Sequence, residues 1–257
     1  MRKTTRRELL GQSAWLLGIA ETALPLLGLE RDNEVTAEKK LRIVVVGAHP
    51  DDPESGCGGT IALYTNLGHE VMILYLTRGE AGVEGKTIQE AAAIRTVESE
   101  KACAILKAQP MFAGQIDGDT AVNRTRYADF RKILESEHPN LVLTHWPTDS
   151  HRDHRAASLL VYDAWLEGGR KFALYYYEVD QGAQTQVFHP THYVDITRTE
   201  SRKRAACFAH ISQNPETGFY KLHEKMHQFR GMECSCELAE AFVRHGQNVD
   251  ALAPPIS

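Results

Sequence analysis

The sequence predicts an α/β fold built on a mostly parallel sheet, and three observations point to it. Short β-branched runs alternate with longer helix-compatible stretches from residue 41 onward, the order of βαβ units. The strongest runs are continuously apolar, as strands covered on both faces must be. With 257 residues, 42% of them hydrophobic and 25% charged, the chain can build one sizeable core, and it holds no repeat or low-complexity tract.

Leu41-Arg42-Ile43-Val44-Val45-Val46 reads as the first buried strand. A turn rich in Gly, Pro and Asp follows, then a helix near Thr60–Leu67 that Gly68 ends. Glu70–Thr77 is a second strand, and Thr87–Lys107 is the longest helical pattern, with Ile94, Val97, Ala102, Ile105 and Leu106 apolar. Met111–Ala113 gives a third strand, Tyr127–Glu137 a helix and Leu141–Thr144 another buried strand. Ala156–Leu166 is helical, Ala173–Val179 and His192–Ile196 are strands, and helices follow at Glu200–His210 and Phe219–Arg244.

The expected organisation is a leader over residues 1–40 and a single domain over 41–257. Thr5-Arg6-Arg7-Glu8-Leu9-Leu10 and the apolar stretch through Leu29 have the form of a twin-arginine export signal. Gln12, Ser13, Glu21 and Thr22 interrupt that stretch and make it weak as a membrane span. The expectation is an exported protein, periplasmic or extracellular, and a cytoplasmic one if the leader is not a signal. No stable membrane span is expected after processing.

The net charge is −5, of which residues 1–29 carry +2, so the remainder is near −7. With no basic stripe interleaved with aromatics, a nucleic-acid partner is excluded. Five cysteines are an odd number for a disulfide framework, and Cys234-Ser235-Cys236 lacks the second pair of a structural zinc site. Most of the cysteines read as small buried hydrophobes.

Two clusters carry the chemistry. His49-Pro50-Asp51-Asp52 packs an imidazole and two carboxylates into four residues directly after the first strand. If Pro50 opens a helical turn, His49 and Asp52 share a face and can hold a borderline cation such as Zn²⁺, with Asp51 on the rim as a base. The plain alternative is that Asp51 and Asp52 cap the following helix, and that Glu54 is a first-turn acid or supports the site from behind. The second cluster, Pro147-Thr148-Asp149-Ser150-His151-Arg152-Asp153-His154, follows the strand ending at Thr144. His154 completes a set of two imidazoles and one carboxylate with His49 and Asp52. His151 is placed as an acid or oxyanion donor, and Asp153 as the group that orients and charges it. Ligands of open α/β sheets gather at the carboxyl ends of strands, so both clusters belong in one crevice.

Together these residues resemble the PIG-L/LmbE-like de-N-acetylase family. Its A-H-P-D-D-x-E turn stands here as Ala48-His49-Pro50-Asp51-Asp52-Pro53-Glu54, and its later P-x-D-x-H-x-D-H segment as Pro147 to His154. Thr77 to Gly82, Arg95 with Glu98, Lys203-Arg204-Ala205, His210 to Gln213 and Ala239 to Phe242 resemble further family segments, so the likeness spans roughly residues 41–245. It implies a Rossmann-like three-layer α/β/α sandwich and zinc on His49, Asp52 and His154. It also implies Asp51 as general base, His151 and Asp153 as assisting groups, and Arg95 on the substrate's acyl or sugar oxygens. For Arg95, an ion pair with Glu98 on the same helix is the equal alternative. The activity implied is removal of an N-acetyl group from an N-acetylglucosamine-type sugar or glycoconjugate, with hydrolysis of a larger acyl or sugar-thiol conjugate amide as the alternative.

Two other classes fit less well. A dinucleotide-binding fold needs G-x-G-x-x-G directly after the first strand, whereas Gly56, Gly58 and Gly59 come late and at the wrong spacing. A non-catalytic binding module needs no base, yet Asp51 stands beside the full ligand set. The partner expected is a small-molecule or glycan substrate bearing an N-acetyl group, and a homo-oligomer is compatible with the sequence.

Overall fold

The computed structural model describes residues 40–179 and 184–247. The expected leader therefore lies, apart from Lys40, outside the described residues. Among these there are seven strands, six α-helices and one short 3₁₀ turn. The strands are β1 (Arg42–Gly47), β2 (Glu70–Tyr75), β3 (Gln109–Phe112), β4 (Leu141–His145), β5 (Ala173–Tyr177), β6 (His192–Asp195) and β7 (Ala239–Arg244). The helices are α1 (Asp52–Asn66), α2 (Ile88–Leu106), α3 (Arg124–Glu137), α4 (Arg152–Glu167), α5 (Glu200–Cys207) and α6 (Phe219–Cys234).

All strands join one sheet in the order β3-β2-β1-β4-β5-β7-β6. β1 to β5 run parallel, and β7 runs antiparallel to both β5 and β6. Alternate strand residues face opposite layers. Ile43, Val45, Ile73, Tyr75, Leu141, Leu143, Tyr175 and Tyr177 form one core with Ile61 and Tyr64 of α1 and Leu106 of α2. Val44, Val46, Leu74, Val142 and Leu174 form the other core with Leu134 of α3 and Leu160, Val161 and Trp165 of α4. The result is the expected three-layer α/β/α sandwich.

The order places β1 at the reversal point of the sheet, with β2 and β3 built out on one side and β4 and β5 on the other. A crevice opens where connections from neighbouring strands diverge to opposite faces. β1 and β4 are those neighbours, paired through Ile43–Leu141, Val44–Val142 and Val45–Leu143. One cluster follows each of them.

Three boundaries differ from expectation. α1 starts at Asp52 rather than near Thr60, with Pro53 in its first turn and a break at Cys57 (φ −147°). α4 starts at Arg152, with His151 as its N-cap, so the second cluster is itself the opening of the helix. The helix expected over Phe219–Arg244 is a helix and a strand. Ser235 adopts the left-handed conformation (φ 66°) and ends α6, and Ala239–Arg244 pairs with β5 and β6. Ala and Glu favour helices, but pairing on both edges overrides propensity in β7.

Candidate active site

The turn after β1 is built around Asp51, whose φ of 99° puts a non-glycine residue in left-handed space. The buried Glu54 stabilises that turn by accepting from the Asp51 backbone N–H at 3.2 Å. Glu54 also accepts from the Tyr75 hydroxyl, and His210 Nε2 lies 3.3 Å from it. Glu54 thus supports the site from behind. Pro50 does not open the helix; the left-handed step at Asp51 still brings Asp52 back under His49. Asp52 Oδ2 accepts from the His49 backbone N–H at 2.7 Å and lies 3.3 Å from His49 Nδ1.

The second cluster arrives from β4 and α4. His154 Nε2 lies 3.3 Å from Asp52 Oδ1, and its Nδ1 lies 3.0 Å from Asp149 Oδ2. The predicted set of His49, Asp52 and His154 is therefore brought together around the Asp52 carboxylate. His151 is near as well, its ring centroid 4.8 Å from that of His49 and 4.7 Å from that of His154.

The donor chemistry fits a borderline divalent cation. Nitrogens of His49, His151 and His154 lie within 4.8 Å of one another, as do ligand atoms of Asp52, His145 and His154. Each of the two predicted histidine ligands has its far nitrogen on carboxylates. Asp149 holds His154 Nδ1, while Asp153 and Asp117 each lie 3.2 Å from His49 Nε2. Such outer carboxylates fix the tautomer and aim the inner nitrogen at a metal.

Proton affinities follow from the same contacts. Burial would lower His154, but Asp52 and Asp149 overcome it and push its pKa up to about 9. His49 is likewise raised against burial, by Asp117, Asp153 and Asp52. Asp52 is driven well below the usual carboxylate range despite its burial, by His154 and His145. Without a metal the cluster holds protons where a dication would sit.

Asp51 is different. Burial raises its pKa, and the Arg95 guanidinium opposes that rise. Arg95 Nη2 donates to Asp51 Oδ2 at 2.9 Å and also to the Pro50 carbonyl. Arg95 is 2% exposed and keeps its ion pair with Glu98 at 3.7 Å. Arg95 thus holds Asp51 in place and keeps the pair with Glu98 expected on its own helix. Gly79 makes room for this: a Cβ there would lie 2.8 Å from Arg95 Nε, and its φ is +69°.

Asp153 also differs from expectation. Its carboxylate does not hydrogen-bond His151; it accepts from Gly118 N (2.8 Å) and Thr120 Oγ1 (2.6 Å) and faces His49. His151 Nδ1 accepts instead from the Asp153 backbone N–H at 3.3 Å, an N-cap interaction. Helix geometry explains the change: as N-cap, His151 turns its ring onto the first-turn amides, and the Asp153 side chain projects toward the loop after β3. Burial and the charges of His154 and His49 lower the pKa of His151.

Four further residues belong to the site. His145 ends β4, is fully buried, accepts from Ala48 N at 3.0 Å and stacks on His154 at 4.0 Å. Its place as a histidine at a strand's carboxyl end beside the second cluster was a usable signal. Asp117 comes from the loop after β3, where nothing in the local pattern marks it. Gln213 and His223 are brought by the 3₁₀ turn and α6. Gln213 lines two adjoining cavities of about 400 and 320 Å³ that meet at Asp51, His151 and Gln213, and His223 lines the smaller one.

The signature of the PIG-L family, described as GlcNAc-PI de-N-acetylase, matches residues 44–165, a span holding both clusters. Diacetylchitobiose deacetylase of Thermococcus kodakarensis is 32% identical over 191 residues, 68% of this chain and 71% of that protein. The 1D-myo-inositol 2-acetamido-2-deoxy-alpha-D-glucopyranoside deacetylase of Rhodococcus erythropolis is 28% identical over 212 residues, 71% of this chain and 69% of that one. Among solved structures, GalB, the 4-carboxy-2-hydroxymuconate hydratase of Pseudomonas putida, superposes with a TM-score of 0.72 at 22% identity. It covers 83% of this chain and all of its own, and it speaks for the fold alone. With both strand-end clusters inside the matched segment and a relative aligned over two thirds of either chain, this protein belongs to the PIG-L family of de-N-acetylases.

Proposed function

We propose that the chain is a zinc-dependent hydrolase that removes the acetyl group from an N-acetylglucosamine-type amino sugar. The observation that carries this reading is Asp51: a carboxylate fixed by Arg95 beside the Asp52–His154–His49 group and committed to none of its nitrogens. A pure metal-binding or sugar-binding site has no need of such a group. The two deacetylase relatives act on different molecules, and their names share an acetylated amino sugar. Two imidazoles and one carboxylate form a common catalytic zinc set with an open position. When bound, the cation supplies Lewis acidity at the amide carbonyl and brings the pKa of a coordinated water toward ~7.

The chain's own residues do the rest. Asp51 takes a proton from the attacking water, a role suited to a carboxylate whose burial raises its proton affinity. His151 accepts the Asp153 N–H at Nδ1, so its neutral tautomer carries the proton on Nε2. That N–H donates to the developing oxyanion, a contribution commonly worth about 3–4 kcal/mol. Asp51 then returns its proton to the departing amine as the C–N bond breaks, leaving acetate and the free amino sugar. Arg95 keeps Asp51 oriented through the cycle.

The test is acetate release from N-acetylglucosamine and its short oligomers, measured on chelated protein and again after Zn²⁺ is restored. Zinc-dependent release supports the reading. Zinc binding with no release from any of these sugars counts against an acetamido sugar and favours a different amide.

A further inference from the structure

The turn that closes α6 carries two thiols that the cleft does not use. Cys234 and Cys236 are both half-buried, whereas Cys57, Cys103 and Cys207 are fully buried. The Sγ atoms of Cys234 and Cys236 lie 3.4 Å apart. The backbone holds them there from both sides. Ser235, in left-handed conformation, and Cys236 both donate their N–H groups to the Gly231 carbonyl, the second at 3.0 Å. This is the capped helix end in which the chain reverses over its own last turn. Gly231 permits the reversal: a Cβ there would meet the Cys236 and Glu237 carbonyl oxygens at 2.7 and 2.6 Å. Beyond the turn, Leu238 N donates to Thr197 Oγ1, and β7 is locked between β5 and β6. The two side chains therefore face each other across one residue with little freedom to separate.

We propose that Cys234 and Cys236 form a redox-active dithiol that closes to an intramolecular disulfide by exchange with a disulfide oxidant. Cys234 is the attacking group. Cys236 keeps its proton, its pKa pushed up to about 12 by burial and by its bond to Cys234, with Asp195 adding to the rise. The Cys234 thiolate forms a bond to one sulfur of the oxidant and expels the other as a thiolate. In that mixed disulfide the restraint that Cys234 placed on Cys236 is gone. Cys236 Sγ then attacks Cys234 Sγ, the mixed disulfide breaks, and a second thiolate leaves. The two cysteines lose two electrons and two protons; the oxidant gains them and ends as two thiols. Because the loop spans a single intervening residue, the bond is strained and therefore readily reduced.

The experiment uses the full chain, equilibrated with mixtures of glutathione disulfide and glutathione, quenched with an alkylating reagent and cut with trypsin. Cleavage after Arg230 and Arg244 gives one peptide, residues 231–244, that holds Cys234 and Cys236 and no other cysteine. As the mixture becomes more oxidising, this peptide is expected to pass in one transition from doubly alkylated to unalkylated and lighter by two hydrogens. The Cys234→Ser and Cys236→Ser variants should each stop at the mixed glutathione adduct or the free thiol. A wild-type peptide that stays doubly alkylated at every ratio overturns the proposal, and so does one that accumulates glutathione adducts without closing.

Discussion

Arg95 and Asp51 form a buried ion pair, Nη2 to Oδ2 at 2.9 Å, between the middle of α2 and the turn after β1. Among the described residues α2 contributes no atom to the metal-capable groups, yet it fixes Asp51, a carboxylate beside them that binds none of their nitrogens. Replacing Arg95 with Met should leave the metal content unchanged. It should lower kcat by roughly 10²-fold, the scale of losing one preorganised group, with a smaller effect on KM. It should also destabilise the fold by about 3 kcal/mol, since Asp51 and Glu98 are left as buried charges without their cation. Steady-state kinetics and thermal unfolding on one preparation check both; a KM effect without a kcat effect would move Arg95 onto the substrate.

Metal uptake should release protons. His154, with its pKa near 9, and His49, also raised, are protonated at pH 7 without the metal and must be neutral to ligate it. Calorimetric titration with Zn²⁺ in buffers of different ionisation enthalpy should give a release of about two protons per metal at pH 7. Affinity should fall as the pH is lowered. Uptake without proton release would contradict the ligand assignment.

Asp149 acts through His154. The change Asp149→Ala removes the carboxylate 3.0 Å from Nδ1 and should weaken metal affinity about 10–100-fold, the scale found for such supporting groups. His154→Ala should abolish stoichiometric binding. Competition with a chelator of known affinity ranks the two; equal affinities for Asp149→Ala and wild type would remove Asp149 from this role.

Acid should destabilise the fold through α6. His223 is buried, and burial together with the Lys203 charge pushes its pKa down to about 3; His227 is lowered in the same way. In the unfolded chain both take a proton near ~6.5. The native state refuses it, so their contribution is fully present above that pH and is lost as pH falls toward 3. Denaturant unfolding of chelated protein between pH 6 and pH 5 should show His223→Gln losing about 1 kcal/mol less than wild type. Parallel pH slopes for the two proteins would contradict neutral burial of His223.

Most of the sheet was legible because its strands are covered on both faces: Ile43–Val46, Met72–Leu74 and Leu141–Thr144 are apolar runs that nothing else explains. β7 was not legible. Ala239, Glu240 and Ala241 carry helical propensity, and only Ser235 and the partners β5 and β6, remote in sequence, make them a strand. The convergence of His49, Asp52 and His154 was legible because each cluster follows a strand end within a few residues. Asp117 was not, since it reaches His49 from a loop whose local sequence says nothing of that contact. The role of Arg95 was half legible. Its ion pair with Glu98 follows from spacing along one helix, but its bond to Asp51 crosses from α2 to the turn after β1.

On the proposed mechanism, Asp51 moves the proton while other residues hold the metal. The most direct measurement pairs zinc content with the rate of acetate release in the Asp51→Asn variant. Stoichiometric zinc with kcat lowered about 10²–10⁴-fold is the expected result, the range for loss of a general base. Undiminished release would remove Asp51 from the base role, and loss of zinc would make it a ligand.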